Sequence, residues 1–219
     1  MPVKVGLQYI DIWKSSMEKA VQKYEQEPIV EGQIVFYGAS NFTRWSKTTW
    51  EHTPLYEAVV GKSGKPCCIN RGFGSSCAEH QLYYYSRMVR PLKPKVLVYS
   101  ALYGNGLSFG YTKEENWELA QRVPVYAMTD FPDIRIYLEG AGVTQKTTEA
   151  QIPEKEEYNA WLKEFADQYP NVTYVDKLNY MPLRAKDIYV EDGIHYNQKG
   201  YDIYADFYRE VLKDELEQF

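Results

Sequence analysis

Three polar side chains have the types and the order needed for nucleophilic catalysis. Asp192 precedes His195 by three residues, a spacing that lets a carboxylate meet an imidazole across one turn. Such a carboxylate holds the histidine in the tautomer that accepts a proton from a serine, and it stabilises the imidazolium that forms. Ser40 lies in the turn Gly38-Ala39-Ser40-Asn41, and a hydroxyl there needs such a base to become a nucleophile. Together these residues predict a Ser-His-Asp triad.

Each of these residues also has an ordinary structural explanation. Taken alone, Ser40 fits better as a cap for the segment that follows a strand, and Asp192 and His195 could form a surface pair before a helix. The other two histidines, His52 and His80, each directly follow a glutamate. Adjacent residues on a helix point apart, so neither histidine is as well arranged. The catalytic interpretation therefore depends on the combination.

Two further loops offer hydrogen-bond donors for an anion. Asn105, in Tyr103-Gly104-Asn105-Gly106, has a side-chain amide that suits a developing oxyanion, although Asn-Gly is also an ordinary turn. The glycine-rich segment 70–76 precedes a predicted helix, so its backbone amides could point at an anion. It could equally serve only to reverse the chain.

These loops follow predicted strands of an α/β protein. Apolar runs alternate with amphipathic stretches, which predicts a parallel sheet covered by helices. Ligands of such sheets bind beyond the carboxyl ends of the strands. The predicted strands cover 34–37, 67–70, 96–100, 134–138 and 172–175, and the predicted helices cover 13–26, 54–60, 76–89, 113–129, 155–168 and 199–216. Pro124 should kink or end the fourth helix.

Four sequence blocks, in this order, resemble those of the GDSL-like (SGNH) hydrolases, a family of serine esterases and lipases. The resemblance spans residues 33–215 and implies a flavodoxin-like three-layer α/β/α sandwich with a five-stranded parallel sheet. It also implies hydrolysis of acyl esters through an acyl-enzyme, without metal or organic cofactor. By this resemblance Ser40 is the nucleophile, His195 the general base, Asp192 its orienting residue and Asn105 a side-chain oxyanion donor. The blocks are Gly38-Ala39-Ser40-Asn41, Asn70-Arg71-Gly72-Phe73-Gly74-Ser75, Gly104-Asn105-Gly106-Leu107, and Asp192-Gly193-Ile194-His195-Tyr196-Asn197 with Gly200-Tyr201.

The blocks depart from the family pattern in three places. The Gly-Asp-Ser-Leu of the family becomes Gly-Ala-Ser-Asn here, which keeps the serine and changes its neighbours. In the second block, the glycine whose backbone amide serves the oxyanion hole aligns with Ser75, although Gly74 is one residue away. The third block needs a small insertion before Asn105. Either Gly74 or Ser75 could therefore supply the backbone donor.

A second serine, Ser108, lies in a competing motif. Gly106-Leu107-Ser108-Phe109-Gly110 matches G-x-S-x-G, the nucleophile elbow of another hydrolase fold, in which the serine sits directly between a strand and a helix. Here residues 102–105 intervene after the predicted strand. The same fold also places its acid and its histidine on separate loops, so Ser40 is the better candidate.

Composition excludes several other classes of protein. The net charge of -5 and the pI near 5.4 give no electrostatic reason to bind nucleic acid or an anionic membrane. No segment stays apolar long enough to predict a membrane span or a signal peptide. Three cysteines, Cys67, Cys68 and Cys77, are an odd number, so free thiols are expected rather than a disulfide framework or a zinc site with His80. A single cytoplasmic domain over residues 1–219, with no metal, is the expectation.

Aromatic residues near the candidate loops are the only pointers to a substrate. Phe42, Tyr103 and Tyr196 could stack on a sugar face or line an acyl pocket, although a place in the core is at least as plausible for each. A small-molecule or carbohydrate ester is the expected ligand. Acetylated carbohydrates or other short-chain esters come first, and lysophospholipids or acyl thioesters second. A catalytically inactive sugar-binding module remains the alternative from another class.

Overall fold

The five predicted strands form one parallel sheet. The structure is a computed structural model that describes residues 6–219 apart from the side chains of residues 48 and 49, so the first five residues of the expected domain lie outside the described part. The strands stand in the order β2-β1-β3-β4-β5, which is the flavodoxin-like order. Their bounds are β1 Ile34–Gly38, β2 Cys68–Gly72, β3 Val96–Ser100, β4 Arg135–Glu139 and β5 Val172–Val175.

Helices cover both faces of the sheet, so the predicted three-layer α/β/α fold is confirmed. Val35 and Tyr37 of β1 pack into one layer and Ile34 and Phe36 into the other, as the two-residue period of a strand requires. The helices are α1 Lys14–Glu25, α2 Ser40–Thr43, α3 Lys47–Trp50, α4 Leu55–Ala58, α5 Ala78–Met88, α6 Gly104–Phe109, α7 Lys113–Ala120, α8 Arg122–Asp130, α9 Ile152–Ala166, α10 Gln198–Val211 and α11 Lys213–Leu216, with 3-10 turns at Arg90–Leu92, Glu149–Gln151, Met181–Arg184 and Lys186–Ile188.

Two of the predicted helices are each divided into two. The helix predicted over 113–129 ends first at Ala120, and Pro124 lies in the first turn of α8, where its missing N–H removes no helical hydrogen bond. The helix predicted over 199–216 is interrupted at Leu212. The short helices α2, α3 and α6 were not predicted, because four to six residues are too few to show a helical period.

The sheet has its topological switch point beside β1. The chain passes from β1 to β2 on one side and then crosses to β3 on the other. Loops that leave the carboxyl ends of β1 and β3 therefore diverge and open a crevice, where ligands bind in folds of this kind. Ser40 follows β1 and Asn105 follows β3, so the fold directs both loops to this crevice.

The expectations about a membrane span and a zinc site can be compared with the lengths of the helices and the surroundings of the cysteines. Within residues 6–219, no helix combines the length and apolar character needed to cross a membrane. Cys67, Cys68 and Cys77 are buried free thiols, and Cys77 Sγ lies 3.2 Å from His80 Nδ1. Among the described residues, no group of three or more histidine, cysteine or acidic side chains is arranged to hold a metal ion.

Candidate active site

The turn after β1 brings Ser40 to the carboxyl edge of the sheet. β1 ends at Gly38, and Ser40 is the first residue of α2. A Cβ at Gly38 would lie 3.0 Å from the ring of Phe42 in α2, and one at Gly72 would collide with the backbone nitrogen of Thr43 in the same helix. Glycine at both positions therefore allows α2 to lie across the ends of β1 and β2.

Ser40, His195 and Asp192 form a continuous chain of hydrogen bonds. Ser40 Oγ lies 2.9 Å from His195 Nε2, and His195 Nδ1 lies 2.7 Å from Asp192 Oδ2. When Nδ1 donates its proton to the carboxylate, Nε2 remains the acceptor for the serine hydroxyl. This is the geometry of a nucleophile, a base and an orienting acid.

The loop that carries Asp192 and His195 is a tight turn held by its own aspartate. Asp192 Oδ1 accepts the backbone N–H groups of Ile194 at 2.8 Å and His195 at 2.9 Å. Gly193, which lies between Asp192 and Ile194, has a φ of 66°, a left-handed conformation that glycine adopts at little cost. One oxygen of the carboxylate therefore shapes the loop, while the other orients the imidazole.

The residues after His195 tie this loop to the serine turn. Asn197 Oδ1 accepts the backbone N–H of Gly200 at 3.0 Å and caps α10. From the first turn of α10, the hydroxyl of Tyr201 donates to the carbonyl of Asn41 at 2.8 Å. The last sequence block therefore supplies a helix cap and a link between two distant loops, besides the acid and the base.

Burial and neighbouring charges shift the pKa values of both titratable residues. Burial alone would raise the pKa of Asp192, but hydrogen bonds from the backbone and side chain of His195 and from the backbone of Ile194 hold that pKa well below its usual range. Burial lowers the pKa of His195; the hydrogen bond to Asp192 opposes this shift, and the positive charge of Arg44 adds to it. At pH 7 Asp192 is therefore ionised and His195 is predominantly neutral.

Arg44 is a neighbour of Asp192 that the sequence motifs did not indicate. Its Nη1 lies 3.2 Å from Asp192 Oδ2, the oxygen that also faces His195 Nδ1. The only signal in the sequence was its position one helical turn after Ser40, and that signal has no meaning until the helix is known. Its partner is 148 positions away, so the contact depends on the tertiary fold.

The candidate oxyanion donors, Asn105 and the loop that contains Gly74 and Ser75, are joined by a hydrogen bond to a backbone carbonyl. Asn105 Nδ2 donates to the carbonyl of Ser76 at 2.8 Å, so the side chain reaches the loop after β2. In that loop Gly74 and Ser75 are exposed. Ser75 has a φ of 60°, and this left-handed conformation is the one that favours glycine. The amide of Asn105 has a second hydrogen that remains available for another acceptor.

The three aromatic residues expected to bind substrate all lie in the core. Phe42 is fully buried, and Tyr103 and Tyr196 are each under 5% exposed. Phe42 packs edge-on against Phe36, and Tyr103 packs on Tyr158. As placed, these rings have almost no surface to offer a substrate, because an aromatic residue beside a functional loop can equally support it from below.

The competing Ser108 is exposed and lies within α6, where its hydroxyl donates to the carbonyl of Asn105 at 2.7 Å. It therefore does not occupy a strand-to-helix turn, as a nucleophile elbow requires. His195 Nε2 instead faces Ser40.

Comparison with known proteins identifies the fold. No family model and no curated protein matches the sequence. A GDSL-like lipase from Bacteroides thetaiotaomicron matches with a TM-score of 0.69 at 16% identity, over 92% of this chain and 98% of the other. A lipase/acylhydrolase from Enterococcus faecalis gives 0.62 at 17%, over 84% and 96%. A family 3 carbohydrate esterase from Clostridium thermocellum gives 0.60 at 14%, over 86% and 98%. The chain has the fold of these proteins, as its sequence blocks implied.

Proposed function

We propose that the protein hydrolyses carboxylic esters, with Ser40 as the nucleophile. The observation that carries the proposal is the chain of hydrogen bonds from Ser40 through His195 to Asp192, at 2.9 Å and 2.7 Å. These hydrogen-bonded residues lie at the switch point of the sheet, where ligands bind in this class of fold. The shared fold with a lipase, a lipase/acylhydrolase and a carbohydrate esterase supports the same reaction class.

The proposed reaction has two half-reactions. In the first, Ser40 Oγ attacks the ester carbonyl while its proton passes to His195 Nε2, and the imidazolium then donates that proton to the departing alcohol. In the second, a water molecule loses a proton to His195 and attacks the acyl-serine, which releases the acid and restores the Ser40 hydroxyl. Asp192 stays ionised throughout and stabilises the imidazolium.

Asn105 and the loop after β2 are the proposed oxyanion donors. The left-handed conformation of Ser75 supports this residue over Gly74 as the counterpart of the family glycine, since the conformation is what glycine serves there. A backbone N–H does not depend on the side chain, so serine can donate equally well. The contact between Asn105 and Ser76 supports a shared role for the two loops.

The proposed substrates are short-chain acyl esters, with acetylated carbohydrates first. A cavity of about 560 Å³ opens along β2 and α3; its lining includes Thr43 from the helix that begins at Ser40, but not Ser40, Asp192 or His195 themselves. Flat aromatic rings can pack on a sugar face, while charged groups bond to its hydroxyls. The lining that supports this choice comprises Tyr24, Trp50, Tyr56, Lys23, Glu27 and Lys47.

Labelling with a fluorophosphonate and peptide mapping by mass spectrometry tests the nucleophile. We expect the adduct on Ser40, full labelling of Ser108→Ala and no labelling of Ser40→Ala. An adduct on Ser108 would contradict the proposal, and a protein that binds sugars without reacting would be an inactive binding module.

The proposed reaction uses no metal ion, so EDTA should leave turnover unchanged. A loss of activity that zinc restores would contradict the metal-free reaction.

A substrate panel tests the alcohol and the acyl group separately. It comprises p-nitrophenyl esters of increasing length, acetylated oligosaccharides, a lysophospholipid and an acyl thioester. Tyr56→Ala should raise KM for an acetylated oligosaccharide and leave p-nitrophenyl acetate unaffected. Tyr83→Ala is the matched control, because Tyr56 and Tyr83 are both 46% exposed and Tyr83 lies on α5. Preference for the lysophospholipid or the thioester would overturn the substrate choice alone.

A further inference from the structure

Arg44 and Ser40 stand at opposite ends of the same helical turn. The backbone N–H of Arg44 donates to the carbonyl of Ser40 at 2.9 Å, so the two side chains are carried by one rigid segment. The side chain of Arg44 crosses from this segment to the histidine loop, where Nη1 lies 3.2 Å from Asp192 Oδ2. Arg44 therefore joins the segment of the nucleophile directly to the acid.

This contact completes the hydrogen bonding of the Asp192 carboxylate. Oδ1 accepts the backbone N–H groups of Ile194 and His195. Oδ2 faces both His195 Nδ1 and Arg44 Nη1. A carboxylate with both oxygens occupied in this way has little freedom to rotate, so its direction toward the imidazole is set before a substrate binds.

Arg44 is itself held in place from two sides. Its guanidinium carbon lies 4.0 Å from the centroid of the Trp50 ring, an arrangement that stabilises a cation over an aromatic face. Its backbone carbonyl lies 2.8 Å from His52 Nδ1, and the His52 ring packs on Tyr201 at 4.6 Å. The side chain of Arg44 is only 20% exposed, so water screens its charge less than at an open surface.

From these contacts we infer that Arg44 is a positioning residue for the proposed triad, which orients Asp192 and offsets part of its negative charge at His195. The inference rests on the proposed function. The contact between Arg44 and Asp192 has two opposing effects on His195. The offset charge keeps His195 neutral, and therefore able to act as a base, at lower pH, whereas a fixed carboxylate preserves the hydrogen bond that stabilises the imidazolium.

Among the described residues, Arg44 is the cation whose charge acts on His195 in opposition to Asp192. Ser40 and Asp192 face the imidazole directly. Burial raises the pKa of the nearby Tyr201 hydroxyl, so that group stays neutral. Lys146 also approaches this loop, since its Cε, the carbon that carries the ammonium, would lie 3.4 Å from a Cβ placed on Gly193. Burial lowers the pKa of His195 most; the hydrogen bond to Asp192 opposes that shift, and the positive charge of Arg44 adds to it.

Three substitutions separate the charge of Arg44 from its hydrogen bond. Arg44→Lys keeps the charge, Arg44→Gln keeps a donor without the charge, and Arg44→Met removes both. Arg209→Gln is the control, since Arg209 lies on the exposed side of α10 and pairs with Asp206. Circular dichroism establishes that each variant is folded before it is assayed.

The readouts are the pH profile of kcat/KM and the titration of the His195 ring followed by NMR. We expect the acid limb and the NMR titration to move to higher pH in Arg44→Gln and Arg44→Met and to stay near the wild type in Arg44→Lys. At pH 5.5 this shift should lower kcat/KM of both variants roughly three- to tenfold. Arg44→Met should also lose activity on the alkaline plateau.

Unchanged titration of His195 in Arg44→Gln would overturn this inference. The NMR measurement does not depend on turnover, so it separates the role of Arg44 from the proposed function. An active Ser40→Ala enzyme would refute the proposed function instead, whatever the titration shows.

Discussion

The two halves of the candidate site are built on different principles. In the half formed by the serine turn and the histidine loop, which we call the paired half, the side chains of Ser40, His195, Asp192 and Arg44 are already hydrogen-bonded in one series. In the half formed by α6 and the loop after β2, Asn105 is bonded to the carbonyl of Ser76, and Gly74 and Ser75 are open to solvent.

The difference follows from when each half is needed. A serine is a weak nucleophile unless its base is in contact, so we expect the proposed triad to be assembled before a substrate binds. An oxyanion exists only during the reaction, so its donors must have capacity left for a group that is absent in the free protein. We call the half formed by α6 and the loop after β2 the open half. Substitutions in the paired half should therefore lower turnover more than substitutions in the open half.

The largest effect is expected at the nucleophile and the base. Ser40→Ala or His195→Ala should each lower turnover by about 10⁶, because members of a triad act as one unit and losing either abolishes its chemistry. Steady-state kinetics with p-nitrophenyl acetate measures the loss, and the double variant serves as control. A double variant much slower than either single variant would show that the two residues do not act together.

A smaller effect is expected when only the orientation of the base changes. Asp192→Asn should lower turnover by about 10⁴, since an amide can favour the wrong tautomer of His195. The same substitution replaces the acceptor of the backbone N–H groups of Ile194 and His195, so its thermal stability must be measured beside its kinetics. Near-normal turnover in a folded Asp192→Asn enzyme would exclude the triad.

The open half should tolerate substitution better. Asn105→Ala should lower kcat by about 10² to 10³ through the loss of one oxyanion donor, with KM little changed. Loss of the bond to Ser76 also loosens the loop, so the Tm of the variant is the control for an indirect effect. A loss as large as that of Ser40→Ala would mean that the open half is as tightly coupled as the triad.

The pH dependence reports on the paired half alone. His195 accepts a proton only in its neutral form, and its pKa is lowered, so the neutral form persists to lower pH. We expect kcat/KM to rise with pH through a midpoint below the ordinary histidine value of about 6.5 and then to level off. A midpoint well above 6.5 would mean that the negative charge of Asp192 outweighs burial and Arg44.

The smallest effect on activity is expected at Ser75. Ser75→Gly should keep the backbone N–H, leave turnover within about twofold and raise stability by up to about 1 kcal/mol, because a side chain is strained at the positive φ. Ser108→Gly is the matched control, since glycine in the exposed interior of α6 should destabilise the protein by about 0.5 to 1 kcal/mol. Thermal unfolding measures both. A severe loss of turnover in Ser75→Gly would show that its hydroxyl takes part.

The apolar runs and the chemical types of the site residues could be read from the sequence. Buried strands such as β1 and β3 require unbroken apolar segments because helices cover both of their faces. The acid and the base three residues apart could be recognised because their contact is local. The loops after β1 and β3 were expected in one crevice because parallel strands end at the same edge.

The tertiary structure decided what depends on distant contacts. It placed Phe42, Tyr103 and Tyr196 in the core, divided two long helices, and brought Arg44 to Asp192 across 148 positions of sequence. A helix boundary at Leu212 or the direction of an aromatic ring is set by packing against elements far along the chain, and such packing leaves no periodic pattern in the sequence. Local hydrogen bonds and strand burial were therefore determined by the sequence alone, whereas the partners of each side chain emerged only when the whole sheet and its helices were assembled.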